Sequence, residues 1–231
     1  MSAPIVIAGA GIGGLATALS LARAGKRALV LERATRIEEV GAGLQIAPNA
    51  GRILAKLGLE PALAATALEP SAINIRRGRD GAILARLDLS DARSRWGAPF
   101  RLFHRADLQG LLLQAALENP HTHVRAGARV GDFEANPRGV RMRVHTQEGV
   151  EEIEAAGLIG ADGLRSSVRG HLRRLTERFL PALSVLAPGE IPSNVRIHSL
   201  GVVTLDDDPP EVQARALAGV GSGLAEAVGG M

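Results

Sequence analysis

The 231-residue sequence contains no cysteine and no tyrosine. Without thiols there is no disulfide framework, no thiolate metal site and no cysteine nucleophile, which fits a reducing, cytoplasmic setting. Aromatic residues make up 2%, with Trp96 the single tryptophan beside four phenylalanines. That leaves few rings for base stacking or for lining a pocket. Lysine occurs only at Lys26 and Lys56, so the basic complement is almost all arginine, and the formal net charge is +3. The arginines are scattered except for Arg165, Arg169, Arg173, Arg174 and Arg178, which step at mostly four-residue intervals. Without interleaved aromatics this stripe reads as a solvated helix face rather than a nucleic-acid surface. No apolar run reaches the roughly 20 residues that span a bilayer. The apolar amino end lacks the positive n-region of a signal peptide. The expectation is a soluble protein whose partners include neither nucleic acid nor membrane.

What is present is a globular composition, 46% hydrophobic and 22% charged. The length allows one large domain or two small ones. Residues 4–9 are β-branched and alternating, as in a buried strand. From Ile12 to Gly25 the apolar residues recur at helical spacing, with Gly25 the stop, and "RALVLE" reads as a second buried strand. Strand, helix and strand make a βαβ unit and favour a parallel sheet with a right-handed crossover. "GAGLQIAP" (41–48) reads as an extended glycine-containing loop, and "NAGRILAKLGL" as a short helix capped by Asn49. "AINIRRGRDGAILARLDL" reads as a hairpin turning at Arg79-Asp80-Gly81. "HRADLQGLLLQAALEN" is an amphipathic helix, residues 123–155 a β-meander broken at "ANPRG" and "TQEG", and "AAGLIGADGLRSSVR" a return to strand, turn and helix. From residue 171 the text turns Pro-, Gly- and Ala-rich, with a short strand at "IHSLGVVTL" and a helix at "EVQARALAGV" the only candidate elements.

The stretch Gly9-x-Gly11-x-x-Gly14 follows a strand and opens a helix, and the acid Glu32 ends the next strand. Gly9 permits the tight turn, Gly11 lets a pyrophosphate approach the backbone, and Gly14 lets helix and strand pack closely. The helix N-terminus offers free N–H groups and partial positive charge to phosphates, and Glu32 can accept from an adenosine ribose. The reading is a dinucleotide site. Arg33 after the acid would suit a 2′-phosphate, whereas Glu32 repels one, so this motif leaves NAD, NADP and FAD open. Ser166-Ser167 lacks the context of a nucleophile elbow. His104, His121, His123, His145, His171 and His198 show no ligand spacing with nearby acids, and the expectation is no metal.

Four stretches in order, "IAGAGIGGLATALSLARAGKRALVLER", "GAGLQIAPNA", "HRADL" and "GADGLRSSVR", resemble the single-component FAD-dependent aromatic hydroxylases, particularly their salicylate-hydroxylase-like branch. The resemblance covers roughly residues 3–170. It implies an α/β fold: a Rossmann-like FAD-binding βαβ domain with a mostly parallel sheet. Inserted at about residues 70–100 would be part of a β-meander or hairpin layer on the substrate side. It also implies FAD as cofactor, NAD(P)H as reductant, and hydroxylation of a small aromatic acid, such as a salicylate-like compound, with O₂. By resemblance Gly9, Gly11, Gly14, Glu32 and Arg33 hold diphosphate and adenosine. Gly43 and Gln45 lie close to the flavin, Arg105 reaches FAD phosphate or ribityl oxygens, and Val130 offers backbone contacts to adenine. Asp162 and Gly163 contact FAD and take part in NAD(P)H binding, with Arg165 assisting. A surface arginine on a first helical turn is the rival reading of Arg105, and a helix cap a compatible one of Asp162.

The family's later Gly-Asp motif of the type "GDAAHP" has no counterpart here, since Gly131-Asp132 stands in another context. The expected division is therefore an incomplete FAD-binding domain at 1–170 and an atypical tail at 171–231, from a truncated or frameshifted gene, with weak FAD retention and doubtful activity. A non-catalytic dinucleotide-binding module is the alternative function, and an NAD-dependent dehydrogenase a third. The residues do not name the substrate or the oligomeric state.

Overall fold

Four short β-branched or apolar runs line up as one parallel sheet in the computed structural model, which describes residues 3–37, 43–136 and 139–172. They are β1 (Ile5–Ala8), β2 (Ala28–Leu31), β7 (Thr122–Arg125) and β11 (Gly157–Gly160), in the order β11-β1-β2-β7. The pairings are parallel throughout, Ile5 opposite Ala28 and Gly157, and Ala28 opposite Thr122. Val6, Ile7 and Val30 are fully buried, as expected for strands covered on both faces. β1 lies inside the sheet. The chain leaves it toward β2 on one side and returns on the other as β11, so the switch point, where α/β sheets bind ligands, falls between β1 and β11.

The crossover helix α1 (Ile12–Arg23) buries Gly14, Leu15, Ala18, Leu19 and Ala22, a stripe at helical spacing. Ala24 caps it, and Gly25 follows at φ +70°, the left-handed stop expected of that glycine. α1 packs against α5 (Arg105–Glu118), which buries Leu108, Gln109, Leu112 and Ala116. One apolar cluster holds Ile7, Leu15, Val30, Leu108 and Leu112 together.

The β-rich insertions also form. β4 (Ala72–Arg76) and β5 (Ile83–Asp88) pair as an antiparallel hairpin. Its turn has Gly81 at φ +71°, and Asp80 accepts from the Ala82 N–H at 3.2 Å. β8 (Arg129–Asn136), β9 (Gly139–Thr146) and β10 (Gly149–Ala155) form an antiparallel meander between β7 and β11.

Two local expectations need correction. Residues 43–46 are not loop but strand β3 (Gly43–Ile46), paired antiparallel with β6 (Arg101–His104), Gly43 opposite His104 and Gln45 opposite Leu102. Their backbone groups gain ladder partners that a loop would leave to water. Asn49 is not the cap of α2 (Pro48–Lys56). Ala47 is, because Pro48 takes the first helical position, where its missing N–H costs nothing. Strand β6 and the short helices α3 (Glu60–Thr66) and α4 (Ala92–Trp96) were not expected at all.

The chain divides into two units between Ser166 and Ser167, and the described part of the second is helical at 167–172. Arg173, Arg174, Arg178, the strand read at "IHSLGVVTL" and the helix read at "EVQARALAGV" lie outside the described residues. Among the described residues no helix is long and apolar enough to cross a membrane.

Candidate functional site

At the carboxyl end of β1 the chain turns through Gly9, at φ +105°. A side chain here is excluded twice. That φ disfavours L residues, and an added Cβ would stand 2.5 Å from the Ala161 carbonyl oxygen and 3.1 Å from the Asp162 Cα. The turn after β1 and the turn after β11 are therefore pressed together at the switch point. A Cβ on Gly14 would overlap the Gly9 carbonyl oxygen, so this glycine lets α1 close over the end of β1.

Gly11 is different. It caps α1 at φ −70° and ψ 177°, a conformation open to any residue. Among the described residues a Cβ on it would meet nothing within 4 Å. Neither backbone strain nor packing within the described protein calls for glycine there. Among the described residues the space beside the Gly11 Cα, at the amino end of α1, is open.

Glu32 follows β2 and reaches back to the same turn. Its Oε2 accepts from the Ala10 N–H at 2.9 Å and its Oε1 from the Ala34 N–H at 2.9 Å. A carboxylate offers about four lone-pair sites, so each oxygen keeps room for a further donor. The segment is anchored by backbone bonds, Glu32 N to Arg125 O at 2.9 Å and Ala128 N to Glu32 O at 2.8 Å. Arg33 is exposed beside it.

The other expected residues fall into two groups. Asp162 and Gly163 follow β11 and so sit at the Gly9 turn; Gly163 has φ +76°, and Asp162 Oδ1 accepts from the Ser166 hydroxyl at 2.6 Å. Arg165 is exposed two residues on. Gly43, Gln45 and Arg105 belong together through the β3–β6 ribbon, because Arg105 directly follows the residue paired with Gly43. The ribbon joins the main core through Ile46 and Phe103. Val130 lies in β8, its side chain buried and its partner Val144 in β9. It is thus in the meander, and β7 is the strand that directly follows α5.

Sequence reasoning missed two polar side chains that hold this region. Gln109, 6% exposed, donates from Nε2 to the Ala10 carbonyl at 2.9 Å. Arg101, fully buried at the start of β6, donates from Nη2 and Nη1 to the two Glu60 oxygens at 2.7 and 2.9 Å, and from Nε to Glu69 at 3.0 Å. Arg93 adds contacts of 3.4 Å to each acid. The Arg101 hydrogen bonds hold the Glu60 carboxyl below the usual carboxylate range, and the same bonds raise the Arg101 guanidinium further. This fork is a structural clamp at the ribbon that leads into α5. Among the described residues no group of three or more His, Asp or Glu could hold a metal ion.

The profile of the FAD binding domain matches residues 2–185. The chain belongs to the FAD binding domain family. Over 176 residues it is 45% identical to the 3-amino-4-hydroxybenzoate 2-monooxygenase PtmB3 of Streptomyces platensis, covering 76% of this chain and 43% of that protein. Over 166 residues it is 41% identical to 3-hydroxybenzoate 6-hydroxylase 1 of Aquipseudomonas alcaligenes, covering 71% and 41%. The chain thus spans less than half the length of these curated relatives. The crystal structure of p-nitrophenol 4-monooxygenase PnpA from Pseudomonas putida DLL-E4 matches with a TM-score of 0.69 at 23% identity, over 74% of this chain and 43% of that one. That likeness establishes the fold of this FAD binding domain.

Proposed function

We propose that the chain holds FAD at the carboxyl ends of β1 and β11 and serves an NAD(P)H-using monooxygenase that hydroxylates an aromatic acid. Gly11 carries this reading. It is a glycine that neither its own backbone angles nor its neighbours among the described residues require, at the amino end of a helix. A close-approaching anion gives that residue its reason, because free N–H groups and the helix dipole favour a phosphate there. Glu32, with one lone-pair site left on each oxygen, suits the two hydroxyls of an adenosine ribose. In this reading Gly9 and Gly14 shape the turn and Arg33 borders the adenosine, with Val130 on the adenine side. Asp162 and Gly163 flank the diphosphate, and Gly43, Gln45 and Arg105 form the wall toward the flavin. The reading takes residues 1–170 as the FAD-binding domain and 171–231 as an atypical tail.

Bound FAD would supply the redox chemistry, drawing on NAD(P)H and O₂. The chain's own residues orient the cofactor and fix its charged half. The two relatives are an amino-hydroxybenzoate monooxygenase and a hydroxybenzoate hydroxylase, and we carry that substrate class, including salicylate-like acids, to this chain. A cytoplasmic location goes with the same reading. The test is titration with ADP and FAD, followed by NADH oxidation with and without salicylate or 3-hydroxybenzoate. Dinucleotide binding with aromatic-stimulated turnover supports the proposal. Binding without turnover reduces the chain to a dinucleotide-binding module, and nicotinamide turnover without flavin makes it a dehydrogenase.

A further inference from the structure

Gln109 is a polar side chain in apolar company. It is buried one turn into α5, between Leu108 and the Leu112 turn, and an amide in such a place is costly unless it is hydrogen-bonded. Its partner is the Ala10 carbonyl, at 2.9 Å. A carbonyl only accepts, so the nitrogen end of the carboxamide faces it. Ala10 stands between the first two glycines of the turn, and its own N–H donates to Glu32. Both backbone polar groups of that residue are thus held, one by α5 and one from the end of β2.

The peptide unit that carries the Ala10 carbonyl also carries the Gly11 N–H. In a trans peptide the two point to opposite sides of the chain. With the carbonyl drawn toward Gln109, the Gly11 N–H is aimed away from α5. Among the described residues it donates to no backbone carbonyl. The same lack of a Cβ that leaves Gly11 approachable also lets this peptide plane rotate easily. A fixed hydrogen bond on the other face of the plane removes that freedom.

We propose that Gln109 is a positioning residue for dinucleotide binding, locking the Ala10–Gly11 peptide so that the Gly11 N–H is presented to the diphosphate. The inference rests on the FAD reading above and adds a residue 99 positions away in sequence from the one it orients. It has a consequence that a packing role would not have. Loss of the carboxamide should weaken ligands that carry a diphosphate and spare those that lack one.

The test uses the whole 231-residue chain, wild type and Gln109→Met, which keeps the length and removes the donor. ADP and adenosine are titrated by calorimetry. ADP affinity is expected to fall about tenfold, the scale of one hydrogen bond, while adenosine changes less than about twofold. Equal loss for both ligands in a folded variant, or unchanged ADP affinity, overturns the proposal. If the variant does not fold, hydrogen exchange on the wild type decides. The Gly11 amide should exchange freely without ligand and slow on adding ADP, and an amide already protected without ligand refutes the orientation. Failure of the wild type to bind ADP is seen before any substitution; it overturns the FAD reading itself, and the inference with it.

Discussion

Substituting Gly11 and Gly9 by alanine, one at a time, sets folding against binding. At Gly11 the backbone is in ordinary territory and the new methyl would find open space. Restricting the unfolded chain favours the variant by about 0.4–1 kcal/mol. Alanine is a poorer helix N-cap than glycine, which costs a few tenths to about 1 kcal/mol in the other direction. The two nearly cancel, so Gly11→Ala should unfold within about 1 kcal/mol of wild type. At Gly9 both effects oppose folding. The φ of +105° costs about 1–3 kcal/mol for a side chain. Overlap with the Ala161 carbonyl at 2.5 Å, backbone that cannot swing aside, adds about 1–3 kcal/mol. Gly9→Ala should therefore lose roughly 2–6 kcal/mol. Binding should follow the opposite order of surprise. The stable variant, Gly11→Ala, places a methyl where the diphosphate must approach, and losing one or two charge-assisted hydrogen bonds weakens ADP about ten- to a thousandfold. The assay is paired: thermal or urea unfolding by circular dichroism, and ADP titration by calorimetry. Wild-type ADP affinity in Gly11→Ala would refute the claim that the glycine is kept for a ligand. Unfolding of that variant as severe as in Gly9→Ala would refute the structural half of the argument.

Other perturbations probe separate parts of the account. Arg101→Met removes one side of a buried fork and leaves Glu60 and Glu69 without it; because both acids are partly exposed, the loss should sit near the low end of about 3–5 kcal/mol, read by urea unfolding. The Glu60 carboxyl is depressed in the folded protein, so its contribution is complete above its ordinary value of 4.5 and disappears as the pH falls through the lower folded value. Wild type and Glu60→Gln should then differ in stability at pH 7 and converge in acid, and a gap that persists at low pH would contradict the assignment. Leu112→Ala empties a fully buried position in the α1–α5 core and should cost about 2–5 kcal/mol by the same unfolding assay. Glu32→Ala should weaken both adenosine and ADP, since the ribose contact is common to them, unlike the diphosphate-selective loss expected at Gln109.

The amino-terminal unit was legible because its signals are local. Periodicity marks β1, α1 and β2, the glycines mark the turn between them, and Gly25 marks the stop. Asp80-Gly81 gave the hairpin, and the two polar breaks gave the meander, for the same reason. The rest depends on partners far along the chain. β3 and β6 are four residues each, and neither is a convincing strand until Gly43 meets His104. Helices α3 and α4 are seven and five residues long, too short for a period to show. Asn49 attracted the cap assignment through its chemistry, yet Pro48 sets where the helix begins. Arg101 looks like any other arginine in a chain so rich in them; only the fold brings Glu60 and Glu69 to it from 41 and 32 positions away. Gln109 directly follows "HRADL", the motif read for its arginine, and lay in a helix read only as amphipathic. The only sign in the sequence was a glutamine at a position where the helix period calls for an apolar residue.

The central claim is that a diphosphate rests on the amides at the start of α1 while Glu32 holds its ribose. It is tested most directly by adding ADP to the ¹⁵N-labelled chain and following every backbone amide by NMR. The account predicts saturable displacement of the Gly11, Ile12 and Gly13 signals together with those of Ala10 and Ala34, whose N–H groups bind Glu32. Saturable displacement confined to some other part of the chain, or no displacement in a folded sample, would contradict it.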